Sequence, residues 1–241
     1  MINEGVNIKN GELLKYTGKD EDVIIPDGVK QIKEEAFSGN INLRSVTIPH
    51  GTVSIGAWAF EGCSNLKKIT IPNSIKEIGS FVFLNCVNLS GNLYDNAYYI
   101  GNNENPYYIL IYAKDRDIAS CKIHKNTKHI MEFAFFQCEY LTELTMPEGL
   151  ISIRSYAFKF CKQLKQIVLP KSIQHITGLV IYRCGIEKIF YTGTITDRSD
   201  KQLSVLRFCP QDKTYYYSKN NPTTEGKFWH YDKEMKNIIE W

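Results

Sequence analysis

The chain repeats itself with a period of 23 residues, and this period limits the folds that are open to it. Residues 43–89 hold two copies in phase, because six pairs of like residues stand 23 positions apart: Ile48 and Ile71, Pro49 and Pro72, Ile55 and Ile78, Phe60 and Phe83, Cys63 and Cys86, Leu66 and Leu89. A repeat of this length is typical of solenoids, in which stacked coils share one continuous core. We therefore expect a repeat solenoid, mostly of β-structure.

The same phase extends over most of the chain. It begins at Val23, breaks after Leu89 and resumes at Cys121. The separation of Ile78 and Ile130 exceeds one period by 29 residues, so a segment of that length is inserted between the third and fourth coils. The prediction divides the chain into an N-terminal hairpin cap at 1–21, a solenoid at 22–192 with an insert hairpin at 90–118, and a C-terminal cap at 193–241.

Each coil contains an inner strand and a back wall. The stretch from Leu66 to Ile71 ends in alternating apolar and polar residues, the pattern of a strand with one buried face. Pro72 ends this strand because proline has no N–H to donate to a sheet. Ile78 supplies the opposite wall, and the glycine that follows it, Gly79, suits a close approach between coils.

The cysteines indicate a packed core rather than a disulfide framework. Five of the seven stand at one phase of the repeat, namely Cys63, Cys86, Cys138, Cys161 and Cys184. One thiol in each coil at a fixed apolar position packs as a small hydrophobe, and such usage fits a reducing compartment. Cys121 and His124 have the spacing of half a zinc site, but a structural zinc site needs four clustered ligands. We expect no metal and no cofactor.

The repeat pattern LxxIxIPxxIxxIGxxxF, with a cysteine three residues after the phenylalanine, resembles the BspA-like leucine-rich repeats of many bacterial surface proteins. The match covers about residues 22–192. The resemblance implies a right-handed leucine-rich-repeat β-solenoid with short parallel inner strands, an irregular second strand on the back and little helix. The chain departs from the pattern at three positions, where we expect local differences in packing: Thr52 for an aliphatic residue, His124 for proline and Ile181 for phenylalanine.

The segments outside the coils are predicted to be β-rich caps. Asn10 and Gly11 stand between two strand-like runs and favour a type I′ hairpin turn. A solenoid needs such a cap because its open end exposes apolar surface and unpaired backbone. The C-terminal part resembles the aromatic cap of the same repeat proteins, and its pattern predicts a short helix and then three strands, within 197–207, 213–218, 227–231 and 237–241.

The insert is predicted to be a hairpin, because two β-prone runs at 93–100 and 107–112 flank a loop at 101–106. Inserts with a similar YDNAYY and NPY core occur in the repeat family. Tyrosine offers contact area and a hydroxyl at low entropic cost, so four tyrosines form a candidate ligand surface: Tyr98, Tyr99, Tyr107 and Tyr108. The alternative is that these rings pack the hairpin across the solenoid.

The outward positions of the inner strands form a second candidate surface. Solenoids hold extended partners on concave faces, so we expect a partner to contact Ser45, Thr47, Lys68, Thr70, Lys122, Glu143, Thr145, Gln166 and Phe190. The alternative is a plain solvated sheet of β-forming residues. On the back wall, His129 and His175 each precede a buried isoleucine, so their side chains are expected to point to solvent.

The sequence contains no catalytic motif. Its five histidines stand in no nucleophile motif, and glycine-rich phosphate loops are absent. The net charge is +3 with scattered basic residues, which gives no case for nucleic acid. No apolar run approaches the roughly 20 residues of a membrane span. We therefore expect a non-enzymatic module for protein recognition or adhesion.

Two other functions stay open at this point. The first is carbohydrate binding by the tyrosine-rich insert and the aromatic cap, which makes a glycan the alternative partner. The second is a hydrolase hidden on the inner face, which would need an acid, a nucleophile and a histidine in contact. The first residues, MINEGVNIKNGELL, do not resemble a signal peptide. This predicts a cytoplasmic protein, or a surface or secreted one if a leader was removed.

Overall fold

The structure, a computed structural model, describes residues 5–194, 213–223, 225–234 and 237–241. These residues form strands and turns but no α-helix, which confirms the leucine-rich-repeat β-solenoid with mainly parallel strands. The helix predicted between 197 and 207 lies outside the described residues. The chain divides into two compact units, unit 1 with residues 1–94 and 98–111, and unit 2 with residues 95–97 and 112–241.

Unit 1 begins with an antiparallel hairpin of β1 (Val6–Lys9) and β2 (Glu12–Tyr16). Asn10 and Gly11 turn between them with φ of 52° and 75°, which confirms the predicted turn because type I′ turns need positive φ at both residues. Three inner strands form one parallel sheet: β3 (Asp22–Ile24), β5 (Ser45–Thr47) and β7 (Lys68–Thr70). Three back strands extend a second parallel sheet from β2: β4 (Gln31–Ile32), β6 (Ser54–Ile55) and β8 (Glu77–Ile78).

The insert contains three strands rather than the two that were predicted. They are β9 (Asn92–Tyr94), β10 (Ala97–Ile100) and β11 (Ile109–Ala113), with β10 between the other two. The run from 93 to 100 is split because Asp95 has a φ of 51° and turns the chain together with Asn96. Aspartate and asparagine tolerate this left-handed conformation better than most residues.

Unit 2 repeats the same arrangement of inner and back strands. Its back strands are parallel neighbours: β13 (His129–Ile130), β15 (Ser152–Ile153) and β17 (His175–Ile176). Its inner strands pair as β12 (Ser120–Lys122) with β14 (Glu143–Thr145), and β16 (Gln166–Leu169) with β18 (Lys188–Tyr191). The sheet of β18 continues through the three strands predicted at the C-terminus: β19 (Thr214–Tyr217), β20 (Phe228–Tyr231) and β21 (Ile238–Glu240).

The strand register follows the sequence period, so like residues stack into columns. Val46 pairs with Ile69 in unit 1, and Ile130 pairs with Ile153 in unit 2, each 23 positions later. The phenylalanine column of unit 1 has ring centroids 4.9 Å apart between Phe37 and Phe60. In unit 2 the centroids of Phe135 and Phe158 are 5.6 Å apart. Each coil alone buries little, and the stacked columns create the core.

The cysteine column is packed as predicted. Four of its five members are buried and Cys184 is half-buried; Cys121, which stands outside the column, is buried too, and all six described cysteines are free. The Cys86 thiol donates to the Phe60 carbonyl at 3.0 Å, and the Cys161 thiol donates to the Phe135 carbonyl at 3.1 Å. Burial raises the pKa of Cys86 from 9.0 to about 12. A thiol in this position therefore packs as an apolar group while it satisfies a carbonyl of the preceding coil.

The departures from the repeat pattern have local structural consequences. Thr52 is fully buried, and its hydroxyl donates to the Val29 carbonyl of the preceding coil at 2.8 Å. This hydrogen bond offsets the cost of placing a hydroxyl in an aliphatic column. At Ile181, where other coils have phenylalanine, a cavity of about 20 Å³ remains beside Phe158 and Val180. The smaller side chain does not fill the space of an aromatic ring.

Candidate binding site

The inner strands of unit 1 bring four of the predicted partner-binding residues together. Ser45 pairs with Lys68 and Thr47 pairs with Thr70 on the neighbouring strands β5 and β7. Lys68 and Thr47 are exposed, whereas Ser45 and Thr70 are half-buried. The Ser45 hydroxyl donates to a carboxylate oxygen of Asp22 at 2.5 Å. These side chains form one continuous polar strip across the sheet.

The inner strands of unit 2 present four more of the predicted residues. All four are exposed: Lys122, Glu143, Thr145 and Gln166. Lys122 pairs with Thr145 between β12 and β14. The backbone N–H of Lys122 donates to the Asp95 carboxylate at 3.0 Å, so the turn at 95–96 covers the edge of β12 at this point.

The prediction that Phe190 is exposed on the inner face is wrong. Its side chain is 1% exposed, because β19 pairs with β18 and places Tyr215 opposite Phe190. The two ring centroids are 5.1 Å apart, and the Trp229 ring contacts the Phe190 ring edge-on at 5.6 Å. The indole N–H of Trp229 donates to the Tyr191 carbonyl at 2.9 Å, which holds the aromatic cluster over this strand. Phe190 therefore belongs to the core.

The predicted tyrosine surface of the insert is also wrong for two of its four members. Tyr99 and Tyr108 are buried, and Tyr98 and Tyr107 are half-buried. The Tyr108 hydroxyl donates to the Ile75 carbonyl at 2.5 Å, and burial raises the pKa of that hydroxyl. Tyr99 and Tyr107 pack edge to face with centroids 5.7 Å apart. These rings fix the insert on the third coil, as the packing alternative proposed.

The insert loop 101–106 lies directly against the edge of β7. Thr70 forms a parallel bridge with Gly101, and the N–H of Ile71 donates to the Gly101 carbonyl at 2.9 Å. The Asn102 side-chain amide donates to the Ile71 carbonyl at 2.8 Å. The backbone groups that a partner strand would need on this edge are thus already used, which protects the edge from strand addition.

Asn102 also organises the loop itself. Its amide donates to the Asn73 side-chain carbonyl at 3.0 Å, while its own side-chain carbonyl accepts the N–H groups of Glu104 and Asn105 at 2.9 and 3.0 Å. The Asn73 amide in turn donates to the Glu104 carboxylate at 3.3 Å. Such local side-chain bonds are how asparagine builds compact turns. The loop is therefore a fixed wall beside the inner sheet.

This wall creates a polar cleft beside the inner sheet of unit 1, which we call the insert cleft. It consists of two adjoining hollows that share Thr70, Asn102 and Asn103. The larger, of about 460 Å³, also contains Lys68, Ser90, Asn92 and Pro106 in its lining. The smaller, of about 360 Å³, also contains Ile48, His50, Pro72, Asn73 and Glu104.

The chemistry of the insert cleft suits polar recognition. Asn103 is exposed and lines both hollows, and its side-chain amide offers a donor and an acceptor that match the C=O and N–H groups of a peptide backbone. Lys68 adds a cation and Glu104 adds a carboxylate, so the cleft contains both charge signs. Lys68 and Thr70 were predicted from the sequence, but Asn73, Asn102 and Glu104 were not. The only signal for Asn102 and Glu104 was the asparagine-rich loop 101–106, whose composition predicts a turn, and no signal in the sequence pointed to Asn73.

The zinc alternative at Cys121 and His124 has no support in the geometry. Cys121 is buried in its inward strand position, and burial raises the pKa of its thiol to about 12. The His124 Nδ1 accepts the N–H of Asn126 at 3.2 Å. Within the described part of the chain, no group of three His, Cys, Asp or Glu side chains is arranged to hold a metal ion.

The prediction for the back-wall histidines is correct for one and wrong for the other. His175 is exposed, but His129 is fully buried, with its Nδ1 2.9 Å from the Ser152 hydroxyl. Ser152 and Arg154 are buried as well, so this part of the back wall is covered on both faces. Burial, reinforced by the Arg154 charge, lowers the pKa of His129 from 6.5 to about 3.

The fold and the site define a leucine-rich-repeat solenoid with a polar cleft on its inner strands. The sequence matches the family described as BspA type leucine rich repeat region over residues 10–104 and 111–204, in six copies. The chain belongs to this family. A search of curated proteins found no match. Within the described residues, no helix has the length and apolar character to cross a membrane.

Solved structures of bacterial leucine-rich-repeat proteins are similar to this chain. One is the leucine-rich repeat protein of T. pallidum, with 23% identity over 83% of this chain and 88% of that one and a TM-score of 0.42. Another is a leucine-rich cell surface protein of Faecalibacterium prausnitzii, with 20% identity over 97% of this chain and a TM-score of 0.43. This chain spans 56% of the length of that cell surface protein. A third is the pneumococcal vaccine antigen PcpA, with 16% identity over 90% of this chain and 74% of that one and a TM-score of 0.36.

Proposed function

We propose that this protein is a non-enzymatic binding module that holds an extended segment of a partner protein on its inner strands. The observation that carries the proposal is the insert cleft, where loop 101–106 is fixed by hydrogen bonds beside Lys68 and Thr70. A fixed wall reduces the entropic cost of ordering a binding surface when the partner arrives. The exposed Asn103 amide, together with Lys68 and Thr70, supplies donors and acceptors for a peptide backbone.

The partner segment is recognised by side chains of the cleft rather than by strand addition. The N–H and C=O of Ile71 are bonded to Gly101 and Asn102, so the edge of β7 offers no open ladder at this point. Strand addition depends on such a ladder. The proposal extends to the exposed inner positions of unit 2, Lys122, Glu143, Thr145 and Gln166, as a polar strip of mixed charge.

The arrangement of the cleft supports binding over hydrolysis. His50, Thr70 and Glu104 all belong to the lining of the smaller hollow. Among the described hydrogen bonds none joins His50 to Thr70 or to Glu104, and the Glu104 carboxylate accepts from Asn73 instead. A hydrolytic triad needs its nucleophile, base and orienting acid in hydrogen-bonded sequence. The tyrosines proposed as a sugar platform are half-buried or buried, which disfavours the carbohydrate alternative.

A random peptide library displayed on phage tests the proposal with a defined probe. The parent protein is used to select clones, and selected peptides are then synthesised and measured against variants. Thr70→Trp fills the space shared by both hollows, and Lys68→Glu reverses the charge beside it. We expect each change to weaken binding by about tenfold or more, the scale of one lost central contact.

Lys76→Glu is the matched control, because Lys76 is exposed in the same coil but lies just before the back strand β8. It should bind the selected peptides as the parent does. For unit 2, Lys122→Glu and Glu143→Lys test the second strip in the same way. If no clone is enriched, or if Thr70→Trp and Lys68→Glu bind selected peptides as tightly as Lys76→Glu does, the proposal is wrong.

A further inference from the structure

Unit 2 has a second surface of unusual composition, on the loops that follow its back strands. Six side chains from three successive coils meet there and form what we call the cation–aromatic patch: Phe136, Tyr156, Lys159, Phe160, Tyr182 and Arg183. Tyr182 and Arg183 are exposed, and the other four are half-buried. These residues lie outside the inner strands to which the proposed function refers.

Two cations belong to the patch, and a third, Arg116, lies beside it with its guanidinium 5.5 Å from the Phe136 centroid. The Lys159 ammonium lies 4.9 Å from the centroid of Tyr156 and 5.2 Å from that of Phe160, and two more rings lie within 5.7 Å. The Arg183 guanidinium lies 5.4 Å from the Tyr182 centroid. Cations attract ring faces at such distances. Within the described part of the chain, neither cation forms an ion pair with a carboxylate, so their charges remain to be balanced.

Two residues of the patch have a backbone conformation that is unfavourable for bulky side chains. The second residue after the core phenylalanine position has positive φ in every coil, and unit 1 places glycine there in two of its three coils, with φ of 73° at Gly39 and 69° at Gly62. Unit 2 places Phe160 and Arg183 at the same position, with φ of 66° and 55°. Bulky side chains are strained in this conformation and glycine is not. Positive φ also occurs at bulky residues elsewhere in the repeat, such as Trp58 and Phe81, so what distinguishes the patch is that Phe160 and Arg183 stand where two coils of unit 1 have glycine.

We propose that the cation–aromatic patch binds acidic peptide segments of a partner protein. The rings are already in contact within the patch: Phe133 stacks on Tyr156 with centroids 5.4 Å apart and planes inclined by 11°, and Lys159 lies over Tyr156 and the three other rings. Nucleobases need open ring faces to stack. The patch also contains ring edges, which are partly positive, and two cations. Glutamate and aspartate carboxylates complement both, and Arg183 can bind a carboxylate through two parallel hydrogen bonds.

Fluorescence anisotropy with a fluorescein-labelled octaglutamate peptide and the full chain tests this inference. We expect binding that weakens at high salt, because the contacts are exposed charge pairs. Arg183→Glu should weaken it by about tenfold or more, since it replaces an attraction by a repulsion. Lys171→Glu is the control of equal charge change, at an exposed site of unit 2 outside the patch, and it should bind as the parent does.

Phe160→Gly separates a binding role from a structural one. It installs the residue that unit 1 uses at this position, so the melting temperature should stay the same or rise, while octaglutamate binding weakens by about tenfold. Octathymidylate and a heparin octasaccharide are measured in parallel. The inference is overturned if octaglutamate does not bind, if Arg183→Glu binds it as the control does, if either polyanion binds more tightly than the peptide, or if Phe160→Gly lowers the melting temperature and leaves binding unchanged.

Discussion

The Phe60 and Phe83 rings, 23 residues apart in the sequence, stack with centroids 5.9 Å apart and planes inclined by 13°. Phe37 stacks against Phe60 with a centroid distance of 4.9 Å. Phe60 is fully buried between its two neighbours. The column therefore places the buried phenylalanine of one coil in contact with those of both adjacent coils, which is how a repeat with little interior of its own acquires a core.

Removal of the Phe60 ring should strongly destabilise unit 1. Phe60→Ala leaves a cavity in the middle of the column, and we expect a loss of about 3–5 kcal/mol in the free energy of unfolding, measured in urea. Phe60→Leu, which keeps most of the apolar volume, should cost only about 1 kcal/mol. A Phe60→Ala loss no larger than that of the leucine variant would contradict the stacked column.

Gly79 tests the close approach of neighbouring coils. A Cβ at this position would lie 2.2 Å from the backbone nitrogen of Ala57 and 2.5 Å from its Cα. Because backbone atoms cannot move aside, Gly79→Ala should lower the free energy of unfolding by more than about 3 kcal/mol, which is the upper end of the range for overpacked sites. Thermal and urea unfolding measure the loss.

Gly39→Ala is the matched control for Gly79→Ala. A Cβ at Gly39 meets nothing within 4 Å, and only its φ of 73° is unfavourable for alanine. We expect Gly39→Ala to lower the free energy of unfolding by about 1 kcal/mol, because of that conformational strain alone. Equal losses for the two variants would show that contact between coils does not determine the cost at Gly79.

The 23-residue period predicted the strands that have the same surroundings in every coil. The inner strands β5 and β7 and the back strand β6 follow from apolar residues that return at a constant phase. Phe190 could not be placed in this way, because its burial depends on Tyr215 and Trp229, which lie beyond the last coil. A period describes contacts between successive coils and contains no information about strands that join the sheet from outside it.

The candidate site was predictable only where it lies on the repeat. Lys68 and Thr70 occupy outward phases of an inner strand, so alternation identified them. Asn102 acts through bonds to Ile71 and Asn73, about thirty residues earlier in the chain. Nothing in a single sequence specifies which coil a loop will contact. The insert cleft is therefore a tertiary feature, visible only once the loop is placed.

Asn102→Ala should release the wall of the insert cleft. The variant loses the two hydrogen bonds that the Asn102 amide donates, to Ile71 and Asn73. It also loses the two hydrogen bonds that the Asn102 side-chain carbonyl accepts from backbone N–H groups of the loop. We expect a loss of about 1–3 kcal/mol in stability and faster hydrogen exchange at residues 101–106. Peptides selected on the parent should bind it more weakly.

Asn103→Ala provides the comparison for the loop. Asn103 is exposed and its neighbour Asn102 makes the anchoring bonds, so the change should alter stability by less than about 0.5 kcal/mol. If Asn102→Ala and Asn103→Ala have the same stability and the same loop exchange rates, the anchoring role of Asn102 is refuted.

His129 should make the protein sensitive to acid. Burial lowers its pKa from 6.5 to about 3, so between these values the unfolded chain takes up a proton that the folded protein does not. Above pH 6.5 His129 is neutral in both the folded and the unfolded chain, and the free energy of unfolding is not reduced by this group. As the pH falls towards 3, protonation of the unfolded chain lowers the free energy of unfolding. The free energy of unfolding should fall by about 1.4 kcal/mol per pH unit from this group.

His129→Gln removes the titrating group, so its stability should depend less steeply on pH between 6.5 and about 3 than that of the parent. His175→Gln is the control, because His175 occupies the same back-wall column but is exposed. The His175 charge is only a minor cause of the His129 shift, after burial and Arg154, so this variant should keep most of the slope of the parent. Urea unfolding at several pH values in this range measures all three proteins, and identical slopes for the parent and His129→Gln would disprove the assignment.

Hydrogen–deuterium exchange of the full chain, with and without a peptide selected on it, tests most directly the claim that the insert cleft is the binding surface. We expect bound peptide to slow exchange at residues 68–73 and 101–106 and to leave the back strands β6 and β8 unchanged, because these strands line neither hollow. Protection confined to the back strands, or unchanged exchange at both cleft segments while the peptide is bound, would contradict it.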